Sequence, residues 1–156
     1  MANTLIPGPV SAETRIAILV SRYNQKVTDA LLEGALAEAR AAGLPEEHID
    51  VLYVPGAFEL SAAAKKAAFR SDIAAVICLG CVIQGETPHF DYICQSAAMG
   101  VMRAAQDSGK PVTFGVITAN TPEQAFERAG GSVGNKGAEA AKAALELLSV
   151  FTKWEK

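Results

Sequence analysis

The chain is short of cysteine, of aromatic residues, of excess charge and of long apolar runs. It has three cysteines in 156 residues. That odd, sparse count argues against a disulfide framework and for a reducing compartment, by default the cytoplasm. Lys and Arg number 14 against 17 Asp and Glu, a net charge of −3. Nothing in that balance attracts a nucleic-acid backbone, and no basic tail is present, so no nucleic-acid partner is expected. A membrane-spanning helix needs ~20 consecutive apolar residues. The longest run, Ile73–Ile83, is about half that length and contains Gly80, so no membrane partner is expected either. The opening stretch MANTLIPGPVSAETR has no cationic start and no long apolar core, unlike a secretion signal. The motifs G-x-G-x-x-G and G-x-x-x-x-G-K-[ST] are missing, which argues against a dinucleotide fingerprint and a nucleotide P-loop. The two histidines, His48 and His89, stand too far apart in sequence to suggest zinc, and no metal site is expected.

What is present is globular. Half the residues are hydrophobic and a fifth charged, and the length suits one domain able to bury its own core. The apolar period alternates along the chain. Arg15–Val20 reads as a strand, followed by a helix to about Ala42 that Gly43 and Pro45 stop. Ile49–Val54 is a second strand, and a helix follows from about Phe58 to Phe69. Ile73–Ile83 is a third strand, broken by Gly85, and a long helix covers Pro88–Ser108. Val112–Ala119 is a fourth strand. Thr121-Pro122-Glu123-Gln124 reads as a capping box opening a short helix that ends at Gly130-Gly131. The last helix starts near Asn135. Strands alternating with helices predict an α/β fold, a parallel sheet covered on both faces.

Residues 1–14 form an arm outside the single domain of residues 15–156. Thr4-Leu5-Ile6 in the arm suit an edge strand added to another chain. The helix Pro88–Ser108 is apolar nearly all the way round, more than one small sheet can cover, which points to a neighbouring subunit.

In an open parallel sheet, ligands bind beyond the carboxyl ends of the strands. Those ends carry Tyr23 and Asn24, then Gly56-Ala57-Phe58-Glu59, then Gly80 to His89, then Asn120-Thr121. Gly85-Glu86-Thr87-Pro88-His89 admits two readings. Thr87 suits an N-cap and Pro88 the first helical position, so the segment is either an anion-binding helix start beside a neutral His89, or an ordinary cap with an exposed histidine. Glu59 reads as a helix-start carboxylate or as a ligand for a polyol. Arg128 and Lys136 flank a glycine-rich turn; they either clamp a phosphate or serve as cations at a helix end. His48 reads as solvated. Cys78 and Cys81 have the redox spacing but lie within a strand, where a buried structural pair fits better than an activated thiol.

Taken in order, these segments resemble the lumazine synthase family. The blocks are Arg22-Tyr23-Asn24, Val54-Pro55-Gly56-Ala57-Phe58-Glu59, Leu79-Gly80-Cys81-Val82-Ile83-Gln84-Gly85, Thr87-Pro88-His89-Phe90-Asp91-Tyr92, Phe114-Gly115-Val116, Glu127-Arg128-Ala129-Gly130 and Gly134-Asn135-Lys136-Gly137. The resemblance implies a flavodoxin-like three-layer αβα sandwich with a four-stranded parallel sheet and a site at the subunit boundary. It implies condensation of 5-amino-6-(ribitylamino)uracil with 3,4-dihydroxy-2-butanone 4-phosphate to 6,7-dimethyl-8-ribityllumazine, with no cofactor. By the same resemblance Tyr23 stacks on the pyrimidine, Ala57 and Glu59 hold the ribityl chain, and Phe58 between them belongs to the substrate-binding set. Val82 and Ile83 give main-chain contacts. Gly85, Glu86 and Thr87 bind phosphate with Arg128 and Lys136, Phe114 comes from the adjacent subunit, and His89 moves protons. The family forms homopentamers, some built into 60-subunit shells, and the Ala129–Gly137 turn lacks the insertion seen in some pentamer-only members. Gln84, Pro88 and Ser132 depart from the usual residues. A non-catalytic flavin- or lumazine-binding module and a flavodoxin-like electron carrier are the competing readings of the same fold.

Overall fold

A computed structural model describes all 156 residues. Its elements in chain order are β1 (Ile16–Ser21), α1 (Gln25–Ala41), β2 (Ile49–Val54), α2 (Leu60–Ala68), β3 (Ala75–Ile83), α3 (His89–Ser108), β4 (Val112–Ala119), α4 (Pro122–Glu127), β5 (Ala129–Gly131), β6 (Gly134–Asn135) and α5 (Lys136–Trp154). Single 3-10 turns precede β2 and α2. β2, β1, β3 and β4 form one parallel sheet in that spatial order, between a layer of α1 and α5 and a layer of α2 and α3. The α/β sandwich is the architecture read from the sequence. No helix is long and apolar enough to cross a membrane.

The two-residue period of the strands builds two cores. Ile16, Ile18 and Val20 of β1 pack with α1 and α5, while Ala17 and Leu19 pack with α2 and α3. β1 is buried throughout, which explains its unbroken apolar run. The helices of the first layer approach closely because they carry glycine where they meet. A Cβ on Gly137 would lie 2.0 Å from the carbonyl oxygen of Leu31. Asn135 seals the contact: its Oδ1 accepts from the N–H groups of Gly137 and Ala138, and its Nδ2 donates to the carbonyl of Ala30. α1 ends in a closed turn in which Gly43, at φ +88°, donates to Arg40, and buried Leu44 donates to Ala39.

Several boundaries differ from the sequence reading. β1 lies one residue later than Arg15–Val20, and β3 starts at Ala75, with buried Ile73 in the preceding turn. At the start of α3, Pro88 occupies the cap position and Thr87 lies before it. The Thr87 hydroxyl accepts only at 3.5 Å from the His89 N–H. Thr121 caps α4 as expected, but Gln124 Oε1 accepts from the N–H of Asn120, one residue further back than a capping box requires. α4 stops at Glu127, and the glycines beyond it form the antiparallel hairpin β5–β6, which lacks the length to leave a periodic signal. His48 is half-buried and bonds the Ala12 carbonyl through Nδ1, so it is not freely solvated. The arm has no strand within this chain. It lies along α5, where Gly8 N–H donates to Ser149 Oγ and Lys153 Nζ donates to the Ile6 carbonyl.

Two surfaces are unusually apolar. Only Ala97, Val101 and Ala104 of α3 are fully buried, leaving Tyr92, Met99 and Met102 exposed. β2 is an edge strand with Val51, Leu52 and Tyr53 exposed.

Candidate active site

Beyond the carboxyl ends of β1, β2 and β3 lies a cleft of about 540 Å³. One wall is Tyr23. The β1–β2 pairing continues past both strand ends, with Arg22 N–H donating to Val54 and Tyr23 N–H to Pro55. These bonds deliver Tyr23 beside Gly56, where its ring lies so close that a Cβ on Gly56 would be 2.6 Å from ring carbon Cδ2. Tyr23 is 66% exposed, an aromatic side chain open to a ligand.

The floor is the turn Ala57–Glu59. Glu59 N–H donates to the Gly56 carbonyl, and Glu59 Oε2 accepts from the Gly56 N–H at 3.1 Å. This is the helix-start role foreseen for Glu59, and it fixes the carboxylate at the cleft. Ala57 is buried while Phe58 is exposed beside it.

The other wall is the end of β3. Pairing with β1 ends at Val20–Leu79, whereas pairing with β4 continues to Ile83–Ala119. Cys81 to Ile83 therefore have one edge without a strand partner. The Cys81 carbonyl on that edge is taken by Asn24 Nδ2 at 3.0 Å, while Gln84 N–H points the opposite way to Ala119. Main-chain groups alternate direction along a strand, so the N–H and C=O of Ile83 face the same side as Cys81, toward the cleft. His89, the first residue of α3, and Ile93 one turn later close the rim. The exposed Gly85-Glu86-Thr87 loop leads into it, and a Cβ at Gly85 would meet open space.

Tyr23, Ala57, Phe58, Glu59, Val82, Ile83 and His89 thus line one cleft. Gly85, Glu86, Thr87, Phe114, Arg128 and Lys136 are not among its lining residues. By alternation with Val112 and Val116, Phe114 sits on the α3 side of edge strand β4, 40% exposed. Arg128 and Lys136 flank the hairpin that packs on α1, across the sheet from α3. Within the chain each behaves as a local cation: Arg128 Nη1 donates to the Gln124 carbonyl, and Lys136 Nζ pairs with Glu139 at 3.0 Å. Asn24, Gly56, Cys81 and Ile93 also line the cleft without having been singled out for a role there. Asn24 had a sequence signal, an asparagine at a strand-to-helix junction, where left-handed backbone is tolerated.

The cysteines are not activated. Burial pushes the Cys78 thiol up to about 12 and the Cys81 thiol up to about 11. Cys94 is also raised, first by burial and then by the Asp91 charge.

A family model described as 6,7-dimethyl-8-ribityllumazine synthase matches residues 13–152. Two curated proteins of that name, from two strains of Thermus thermophilus, are each 53% identical over 150 residues. The match covers 96% of this chain and 95% of theirs.

Proposed function

The chain belongs to the 6,7-dimethyl-8-ribityllumazine synthase family, and from that membership we infer that it is a transferase of riboflavin biosynthesis. It condenses 5-amino-6-(ribitylamino)uracil with 3,4-dihydroxy-2-butanone 4-phosphate to 6,7-dimethyl-8-ribityllumazine, releasing phosphate and water. The observation that carries the assignment of the site is the gathering, in one cleft, of an open aromatic face, a fixed carboxylate, an unpaired strand edge and a histidine.

In this reading the pyrimidine stacks on Tyr23, with its polar edge toward the main chain of Ile83; Val82, whose main chain faces β4, lines the cleft without offering a main-chain contact. The ribityl chain runs over Ala57 and Phe58, and its hydroxyls bond the Glu59 carboxylate. The butanone phosphate lies toward Gly85-Glu86-Thr87, where exposed main chain beside a glycine and a helix start suits an anion. The amine attacks the ketone to give an imine, phosphate leaves, and the ring closes. Each step moves protons, and His89 at the rim is placed to relay them. Both substrates are intrinsically reactive, so holding them together supplies much of the rate.

Phe114, Arg128 and Lys136 complete the site from the adjacent subunit. Their separation from their own cleft supports this, as do the exposed apolar faces of α3 and β2. A homopentamer satisfies that geometry, and a 60-subunit shell is compatible with the uninterrupted turn into α5. The working location is the cytoplasm. The test is to mix assembled protein with both substrates and follow the lumazine optically. Acceleration over the spontaneous reaction is expected, and a correctly assembled oligomer that gives none would overturn the assignment.

A further inference from the structure

Asn24 is the one non-glycine residue with positive φ, at φ 61° and ψ 50°. Ordinary side chains avoid that region, and asparagine is among the few that enter it. Its carbonyl accepts from Val27 and Thr28 and so starts α1. Its Nδ2 donates to the Cys81 carbonyl at 3.0 Å, and no other hydrogen bond joins residues 22–24 to β3. The bond falls just where β1 stops and the unpaired edge of β3 begins.

We propose that Asn24 is a positioning residue for the aromatic substrate. It sets the width of the slot between the Tyr23 ring and the end of β3, and it fixes which main-chain groups are open there. Two residues present polar backbone to the slot, Cys81 and Ile83. The Asn24 amide occupies the Cys81 carbonyl, leaving the Ile83 N–H and C=O as the free donor and acceptor. A flat ring with a donor–acceptor edge can then bond in only one register while it stacks on Tyr23. Without the amide, the loop loses its tie to β3 and a competing acceptor opens on Cys81. The proposal rests on the reading of the cleft as the pyrimidine site.

The experiment uses the assembled enzyme with two variants. Asn24→Gly keeps the positive φ and removes the amide. Asn24→Asp keeps the shape but cannot donate to the Cys81 carbonyl. KM for each substrate, kcat and the melting midpoint are measured beside the unaltered protein. Both variants should raise KM for 5-amino-6-(ribitylamino)uracil by about threefold to tenfold, the range of one lost hydrogen bond. KM for the butanone phosphate should stay within about twofold. A merely structural role lowers the melting midpoint or the active fraction and leaves both KM values alone. That result would overturn the proposal, as would equal rises for both substrates or failure of both variants to assemble. Equilibrium binding of 6,7-dimethyl-8-ribityllumazine, read by its fluorescence, separates this proposal from the functional assignment. If the unaltered protein gives no turnover, the assignment fails, and the slot still stands or falls on whether the variants bind the lumazine more weakly.

Discussion

Replacing Gly56 by alanine sets a methyl group against the ring of Tyr23. The backbone raises no objection, since φ −139° and ψ −179° suit any residue. The new carbon would lie 2.6 Å and 2.8 Å from two ring carbons, and 3.2 Å from Glu59 Oε2. Carbon atoms pack best at about 3.5–4.0 Å, so the ring must retreat by roughly 1 Å. Tyr23 as a whole is 66% exposed, so its ring can do so at little cost. The change in stability should be within about 0.5 kcal/mol, or about 2 °C in the melting midpoint for a chain of this size. Binding is affected more. Aromatic stacking contributes about 0.5–1.5 kcal/mol beyond area burial, so its loss should raise KM for the pyrimidine roughly 2- to 12-fold. Steady-state kinetics of Gly56→Ala, Tyr23→Ala and the double variant test the reasoning. In the Tyr23→Ala background, Gly56→Ala should have no further effect, because the ring it displaces is gone. Additive effects would refute the steric argument, and so would a drop of several degrees in the midpoint.

His89→Ala should slow turnover by about 10²-fold, the low end for proton-transfer groups, because the substrates need little activation; complete loss in an intact oligomer would contradict this. Arg128→Ala should raise KM for the butanone phosphate at least about tenfold, as expected for a lost charge-assisted hydrogen bond, with the pyrimidine KM within about twofold; equal losses would remove Arg128 from the phosphate site. Gly137→Ala should lower the melting midpoint by about 3 °C or more, since its methyl meets backbone of Leu31 that cannot yield locally; an unchanged midpoint would count against it. Cys78 and Cys81 should resist alkylation at pH 8 until the chain is unfolded. Stability should also decline as pH rises above about 9, because the unfolded thiols ionise near 9.0 while the folded ones hold their protons to about 12 and 11. A urea midpoint unchanged between pH 8 and pH 10 would refute that contribution.

The four main strands were legible because buried parallel strands leave unbroken apolar runs, and β2 and β4 coincide with the segments read from sequence. The same signal hid the difference between core and edge. Ile49–Val54 looks as apolar as β1, yet its middle is exposed, since a surface awaiting a partner is written in the same residues as a core. The hairpin β5–β6 escaped notice because its strands have three and two residues. At the site, position along the chain was informative: the turns after β1 and β2, the end of β3 and the start of α3 do meet in one cleft, without Gly85-Glu86-Thr87 or Asn120-Thr121. Sequence order could not say that Phe114, Arg128 and Lys136 stand away from it. Nor could it reveal that the amide of Asn24, placed at a strand end, acts on a carbonyl 57 positions later.

The order of the sheet has a consequence for how the chain acquires its cleft. β1 lies between β2 and β3, so its second flank stays open until Ala75 can pair with Ile16. During synthesis, the segment that becomes the Tyr23 wall leaves the ribosome long before the segment that becomes the opposite wall. Such distant pairings form slowly and leave apolar edges uncovered meanwhile. A nascent chain ending before Ala75 has an aromatic shelf with no β3 to face it. Recognition arrives late and all at once, with the folding of the domain.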